Sequence, residues 1–190
     1  MLIKRIVGYW VLKLIGWSFD QDFEWQDKQV VIGFPHTSNI DGVRSMFMYP
    51  LLGIDAHYLV KEELFRWPLS PVLRYMGGIP VTRSQHRNQV EELARQIRQS
   101  KKFTLVIAPE GTRGKMSIDA PVIKTGFWHI ARSAGVPVVL MISDEKTKHG
   151  RFLGSIFPGD DLRQDLLKIQ NIYHHEGIKI SLPDLSEELN

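Results

Sequence analysis

The sequence predicts an α/β fold: a single domain with a largely parallel sheet flanked by helices, preceded by an N-terminal amphipathic helix. Three observations carry this. Short, mostly apolar runs of strand length recur at 30–33, 56–60, 103–108 and 136–142. Between them lie stretches whose apolar residues follow a helical period, and strands separated by helices in this order pair in parallel. The chain has 190 residues, 43% of them hydrophobic, with no internal repeat or low-complexity segment, which suits one domain with a sizeable core. Residues 1–28 are expected to form an N-terminal interfacial helix and its connection, and residues 29–190 the α/β domain.

Taken in order, residues 1–17 are rich in Leu, Ile, Val, Trp and Tyr, interrupted by Lys4, Arg5 and Lys13. As a helix at ~1.5 Å per residue this stretch is about 25 Å long, short of a ~30 Å hydrocarbon core, so it does not read as a spanning helix. Two readings stand: a helix lying among lipid headgroups, with Trp10 and Trp17 at the boundary, or a helix packed on the domain's own core. No A-x-A-like cleavage site follows the apolar run, which argues against a signal peptide. Residues 20–28 are polar, carry Trp25, and read as the connection.

The first strand, 30–33, leads through Pro35 into a helix over 39–52, with Val43, Met46, Phe47 and Leu51 on one face. A strand at 56–60 is followed by a helical turn at 61–66 that Pro68 stops. A helix starts at Ser70-Pro71, with proline at its first position, and runs to Met76. Gly77-Gly78 ends it, and 79–81 is extended. Residues 85–100 form an amphipathic helix with Val90, Leu93, Ala94 and Ile97 inward. A strand at 103–108, a helix over 124–135 closed by Gly135, and a strand at 136–142 complete the alternation. A further strand at 152–157 and a helix at 162–173 follow, while 178–182 is too short to place.

The net charge is +3 and the calculated pI about 9.1, which suits anionic partners, an anionic membrane among them, without requiring nucleic acid. The absence of cysteine excludes thiol nucleophiles, disulfides and cysteine-based zinc sites. His129, His149 and His174-His175 lack metal-ligand spacing, so no metal is expected.

The chemistry concentrates where strands end. In open α/β sheets the ligand site lies outside the carboxyl ends of the strands. Three stretches meet that condition: His36 and Asp41 after the first strand, Thr82 and Arg83 after 79–81, and Pro109-Glu110-Gly111-Thr112-Arg113-Gly114 after 103–108. With His36 in the turn and Asp41 in the first helical turn, the carboxylate holds one imidazole nitrogen while the other faces the cleft, as a general base requires. Ser38-x-x-Asp41 also reads as a helix cap, which is compatible with that role. Gly111 makes a turn at low cost, Thr112 offers a hydroxyl, and the Arg113 guanidinium suits a phosphate held by two parallel hydrogen bonds. Taken singly, Arg83 and Arg113 read more simply as surface arginines and Gly111 as a turn glycine.

Together, His36-x-x-x-x-Asp41, Gly78-Ile79-Pro80-Val81-Thr82-Arg83, Pro109-Glu110-Gly111-Thr112-Arg113 and Val136-Pro137-Val138-Val139 resemble the four ordered blocks of the glycerolipid acyltransferase family, which includes 1-acylglycerol-3-phosphate acyltransferases. The resemblance runs from residue 36 to 139. It implies that His36 removes the proton from an acceptor hydroxyl and that Asp41 orients its imidazole. Arg83, Glu110, Gly111, Thr112 and Arg113 would hold the acceptor and typically its phosphate, with Pro137 in a structural role. It further implies acyl-CoA or acyl-carrier protein as donor substrate, no separate cofactor, membrane lipid as partner rather than nucleic acid, and attachment at the cytoplasmic face of a membrane. Pro35, Ala108 and Gly114 depart from the family's common Asn, Phe and Ser, and none of these removes a proposed catalytic group.

With His36 as base and neither a cysteine nor a Gly-x-Ser-x-Gly elbow, direct attack of the acceptor hydroxyl on the thioester is expected, without an acyl-enzyme. The acceptor is expected to be 1-acylglycerol-3-phosphate, giving phosphatidic acid, with a non-phosphatidate lipid as the alternative. The rivals are a hydrolase using Ser38 and a non-catalytic anionic-membrane-binding domain suggested by Arg83, Arg87, Arg95 and Arg98. Ser38 is better placed as a cap, and a solvated helix face explains the arginines.

Overall fold

The computed structural model describes residues 2–34, 39–81, 86–109 and 121–185. Six helices and seven strands occupy them: α1 (Leu2–Ile15), β1 (Ser18–Phe19), β2 (Lys28–Phe34), α2 (Asn39–Leu51), β3 (Ala56–Lys61), α3 (Leu69–Tyr75), β4 (Gly78–Val81), α4 (His86–Gln99), β5 (Phe103–Ile107), α5 (Gly126–Ala134), β6 (Val138–Asp144), β7 (His149–Ile156) and α6 (Leu162–His175). A 3-10 turn, Glu62–Leu64, follows β3.

The strands form one sheet in the order β1-β7-β6-β2-β5-β3-β4. Every neighbouring pair is parallel except β6 and β7. β2 lies between β5 and β6, and its side chains Val30, Val31, Ile32 and Phe34 are buried. A strand covered on both faces reads as a continuous apolar run, which is why this stretch shows no polar alternation. Its one buried polar side chain, Gln29, is satisfied by its register partner: Gln29 Nε2 donates to Thr104 Oγ1 across β5 at 3.1 Å.

The connections β2–α2–β3 and β3–α3–β4 both step toward the β4 edge, whereas β4–α4–β5 and β5–α5–β6 step back. Right-handed crossovers therefore put α2 and α3 on one face and α4 and α5 on the other. The core divides accordingly. Leu93 and Ile97 of α4, Phe127 and Trp128 of α5, and Leu166, Ile169 and Tyr173 of α6 pack with Ile32, Phe34 and Leu140. On the opposite face, Leu12 and Trp17 pack with Met48, Tyr49, Tyr58, Val31 and Met141. Each fully buried aliphatic or aromatic side chain contributes about 1.5–3 kcal/mol of burial free energy, so both helical layers matter to stability.

α1 covers α2. Its inward stripe is Lys4, Gly8, Val11 and Leu12, and Gly8 permits the close approach: a Cβ there would lie 2.6 Å from the Phe47 carbonyl oxygen. α5 ends at Gly135 in the left-handed conformation, as anticipated. The helix at α6 is capped by Asp161, whose carboxylate accepts from the Gln164 amide.

Two features lay beyond the reading of the sequence. β1 is only two residues long and adds to β7, held by Ser18 N donating to Lys148 O (2.9 Å) and Asp20 N to Gly150 O (3.0 Å). β7 starts at His149, earlier than its apolar residues suggested, and runs antiparallel to β6. The 178–182 stretch contributes an isolated bridge, Ser181 with Val122.

Candidate active site

β2, β3, β4 and β5 run in parallel, so their carboxyl ends share one edge of the sheet. The register gives the alignment: Ile32 pairs with Ile107, Tyr58 with Val106, and Lys61 with Val81. Phe34, Val81 and Ile107 are the last residues of β2, β4 and β5. These three strands therefore carry the chain toward the three sequence blocks from one side of the molecule.

His36, Arg83, Glu110, Gly111, Thr112 and Arg113 lie outside the described residues, as do Ser38 and Thr82. Asp41 falls in the first turn of α2, the position anticipated for it. Pro137 is buried directly before β6, and its carbonyl accepts from Val30 N at 2.9 Å, where the β2–β6 ladder begins.

The elements that lead into these blocks are held by specific contacts. The Tyr58 hydroxyl, on β3, donates to the Ser45 carbonyl of α2 at 2.9 Å, and Ser45 Oγ donates back to Gly42 O at 2.7 Å. On the opposite face, the Tyr173 ring meets Phe34 edge-on at 5.0 Å between centroids. Its hydroxyl lies within bonding distance of Ile32 O (3.1 Å) and Met141 O (3.2 Å), joining α6 to β2 and β6. Burial raises the pKa of Tyr58 and Tyr173 above the ordinary phenol value, so both remain donors. The two tyrosines escaped the sequence reading, although a tyrosine on an inward helix or strand position is itself a signal, since its hydroxyl needs a partner.

β4 sits close against its neighbours through two glycines, Gly77 against β3 and Gly78 against α3 and the turn before it. Gly77 has φ +91°, its carbonyl accepts from Tyr58 N at 2.9 Å, and an added Cβ would stand 2.2 Å from Ala56 O. Gly78, the first residue of the second block, packs on the Leu73 carbonyl and the Phe65 ring. Pro109 is buried after β5, and its carbonyl accepts from Lys124 N at 2.9 Å. That bond brings the two flanks of segment 110–120 together.

A second constellation has the composition of a hydrolytic triad. His149 Nδ1 lies 2.7 Å from Ser18 Oγ, and its Nε2 lies 2.9 Å from Asp20 Oδ1. Ser18 and His149 are direct register partners in β1 and β7, at the sheet edge opposite β4. Ser18 sits in an extended strand rather than on a strand-to-helix elbow, so the trio staples an edge. Among the described residues no group of three or more His, Asp or Glu is arranged to hold a metal.

A family model described as Acyltransferase matches residues 20–143. No protein of curated function is significantly similar to the chain. Among solved structures, the crystal structure of the 1-acyl-sn-glycerophosphate (LPA) acyltransferase PlsC from Thermotoga maritima is similar in fold, with a TM-score of 0.66 and 16% identity over 92% of this chain and 77% of that one.

Proposed function

This chain belongs to the acyltransferase family, and from that premise we propose that it moves a fatty acyl group from acyl-CoA or acyl-carrier protein to a hydroxyl of a lysophospholipid. The acceptor that fits best is 1-acylglycerol-3-phosphate, the substrate named for the structurally similar PlsC, and the product is then phosphatidic acid. One observation carries the reading: β2, β4 and β5 end at the same edge of a parallel sheet, and the His36, Arg83 and Glu110–Arg113 blocks each follow one of them.

In this mechanism neutral His36 takes the proton of the acceptor hydroxyl as its oxygen attacks the thioester carbonyl. The carbon–sulfur bond breaks, and the proton passes to the departing thiolate. Asp41, at the start of α2, orients the imidazole and stabilises its cation. Arg83 and Arg113 bind the acceptor phosphate, with Gly111 giving the backbone room to turn and Glu110 and Thr112 orienting the guanidinium or the acceptor. A positioned base contributes ~10²–10⁴-fold, and the remaining acceleration falls to donors at the thioester oxyanion.

No helix among the described residues is long and apolar enough to cross a membrane. The N-terminal helix serves as a peripheral attachment at the cytoplasmic face.

The test is transfer of radiolabelled acyl groups from acyl-CoA and from acyl-carrier protein to lysophosphatidate, with His36→Ala, Asp41→Asn, Arg83→Ala and Arg113→Ala in parallel. His36→Ala should lower kcat by about 10²–10⁴-fold. The arginine variants should raise KM for lysophosphatidate and leave KM for an uncharged acceptor unchanged. Full activity in His36→Ala refutes the base, and transfer only to non-phosphate lipids shifts the acceptor to the alternative class. Vesicle binding without turnover would return the chain to a membrane-binding domain.

A further inference from the structure

α1 buries its sparser face and exposes its richer one. Gly8 and Leu12 are buried against α2, while Leu2, Ile3, Ile6, Val7, Tyr9, Trp10 and Leu14 face outward, Leu14 at 87% exposure. A solvated helix would carry polar residues there, and α1 has no acidic residue to place. A second apolar surface stands beside it. The turn before α3 exposes Leu64 and Trp67, the latter at 88%, and α3 exposes Leu69, Val72 and Tyr75. The two surfaces abut: Lys4 Nζ of α1 sits 4.9 Å from the centroid of the Tyr75 ring at the end of α3, and 3.8 Å from Asp55. α3 lies on the same face of the sheet as α2, which α1 covers.

We propose that α1 and the Leu64–Tyr75 turn and helix form one continuous surface that lies on an anionic bilayer, with Trp67 as a second anchor independent of the N-terminal helix. The proposal deepens the peripheral attachment in the preceding reading and rests on it. Contiguous exposed apolar surface of this kind marks an interaction site. The chemistry at its margins selects lipid over a second copy. Exposed Arg5, Lys13, Arg66 and Arg74 lie among the apolar residues; the acidic neighbours are Asp55, ion-paired with Lys4, and Glu62 and Glu63 at the start of the 3-10 turn. In a two-fold dimer this self-facing patch would bring like charges together, whereas anionic headgroups complement them. Trp10, Trp67, Tyr9 and Tyr75 are the side chains that settle at the headgroup boundary.

The second anchor also sets an orientation. Trp67 lies six residues beyond Lys61, the last residue of β3, and so belongs to the carboxyl edge of the sheet where the proposed site begins. An α1 anchor alone leaves the domain free to tilt about that helix; adding Trp67 turns the acceptor-binding edge toward the leaflet.

The experiment measures co-sedimentation of the full chain with phosphatidylcholine vesicles doped with phosphatidylglycerol, for the parent, Trp67→Ser with Val72→Ser, and Trp10→Ser with Leu14→Ser. All four positions are exposed or at the surface, so folding should survive, and circular dichroism checks it. Each pair should weaken partitioning by at least tenfold, and the four changes together should abolish it. Unchanged partitioning of Trp67→Ser with Val72→Ser in a folded protein overturns the second anchor. A parent that sediments as a dimer and becomes monomeric in that variant overturns lipid as the occupant. Turnover of a soluble short-chain acceptor without vesicles should be equal in parent and variants; its absence in the parent counts against acyl transfer to that acceptor and leaves the binding result standing.

Discussion

Replacing Gly77 by alanine tests whether the close approach of β4 to β3 holds the second block in place. The φ of +91° costs a non-glycine residue about 1–2 kcal/mol. The new Cβ would stand 2.2 Å from Ala56 O, where ordinary contact begins at 3.4 Å, so β3 and β4 must separate by about 1 Å. That displacement strains packing by roughly 1–3 kcal/mol and weakens the Tyr58 N to Gly77 O bond, worth about 1 kcal/mol. Loss of unfolded-state freedom returns about 0.4–1 kcal/mol, leaving a net destabilisation of about 2–5 kcal/mol. Gly53 supplies the control. Its φ is +76° but nothing lies within 4 Å of an added Cβ, so Gly53→Ala bears the strain alone, about 1 kcal/mol after the same correction. Urea unfolding should show the difference as a shifted midpoint at constant m, and thermal melting as a gap of roughly 10 °C between the variants. Because β4 leads to Arg83, Gly77→Ala should also lower acyl transfer under conditions where both variants remain folded. Equal stability losses in the two variants would refute the steric argument.

Three further outcomes follow from polar groups in the core or at its margin. Asp165 is 2% exposed, and its carboxylate accepts from the Trp128 indole (3.0 Å), the Gly159 amide (2.6 Å) and Lys168 Nζ (3.0 Å). Asp165→Ala strands the indole and the amide and should cost about 3 kcal/mol in urea unfolding. Burial pushes the Asp165 pKa up, but the Gly159, Trp128 and Lys168 contacts outweigh it and hold the group below the ordinary carboxylate value. Its contribution is therefore present above the unfolded carboxylate range and is lost as pH falls through the folded value, a loss Asp165→Ala should no longer show. His57 behaves oppositely in cause. Stacked on Phe103 at 4.0 Å, its pKa is lowered by burial, against the pull of Asp55. The unfolded chain then takes up this proton first, so stability should decline as pH drops below about 6.5, and His57→Gln should flatten that decline in pH-dependent melts. Tyr173→Phe keeps the contact with Phe34 and loses only the hydroxyl, so a destabilisation of about 1 kcal/mol is expected; a loss above roughly 3 kcal/mol would mean the hydroxyl does more than bridge Ile32 and Met141.

The parallel core was legible because its strands are buried on both faces: 30–33 and 136–142 are continuous apolar runs, 103–108 is broken only by Thr104, and the helices between them carry a clear period. β7 was harder, since the polar His149, Arg151 and Ser155 interrupt a half-buried strand and its apolar signal begins only at Phe152. β1 has no local signal at all. Two residues cannot show a period, and Ser18–Phe19 become a strand only because His149 and Gly150 are there to pair with. For the candidate site, the sequence spoke through strand ends and the residue types beyond them, and the sheet brings three of those ends to one edge. The supporting tyrosines signalled a need for partners but not which ones, because their acceptors, Ser45 O, Ile32 O and Met141 O, are backbone atoms that any residue provides.

The short strand β1 also guards against self-assembly. A sheet edge left bare offers unpaired amides and carbonyls to any neighbouring chain, and β7 would be such an edge without Ser18–Phe19. The staple from Ser18 and Asp20 to His149 reinforces that cover from the side-chain layer. Trimming the apolar N-terminus through residue 20 to make the chain more soluble would therefore remove greasy surface and open a templating edge in the same cut, so the shortened protein should aggregate more readily. Trimming that stops short of Trp17 keeps the edge closed.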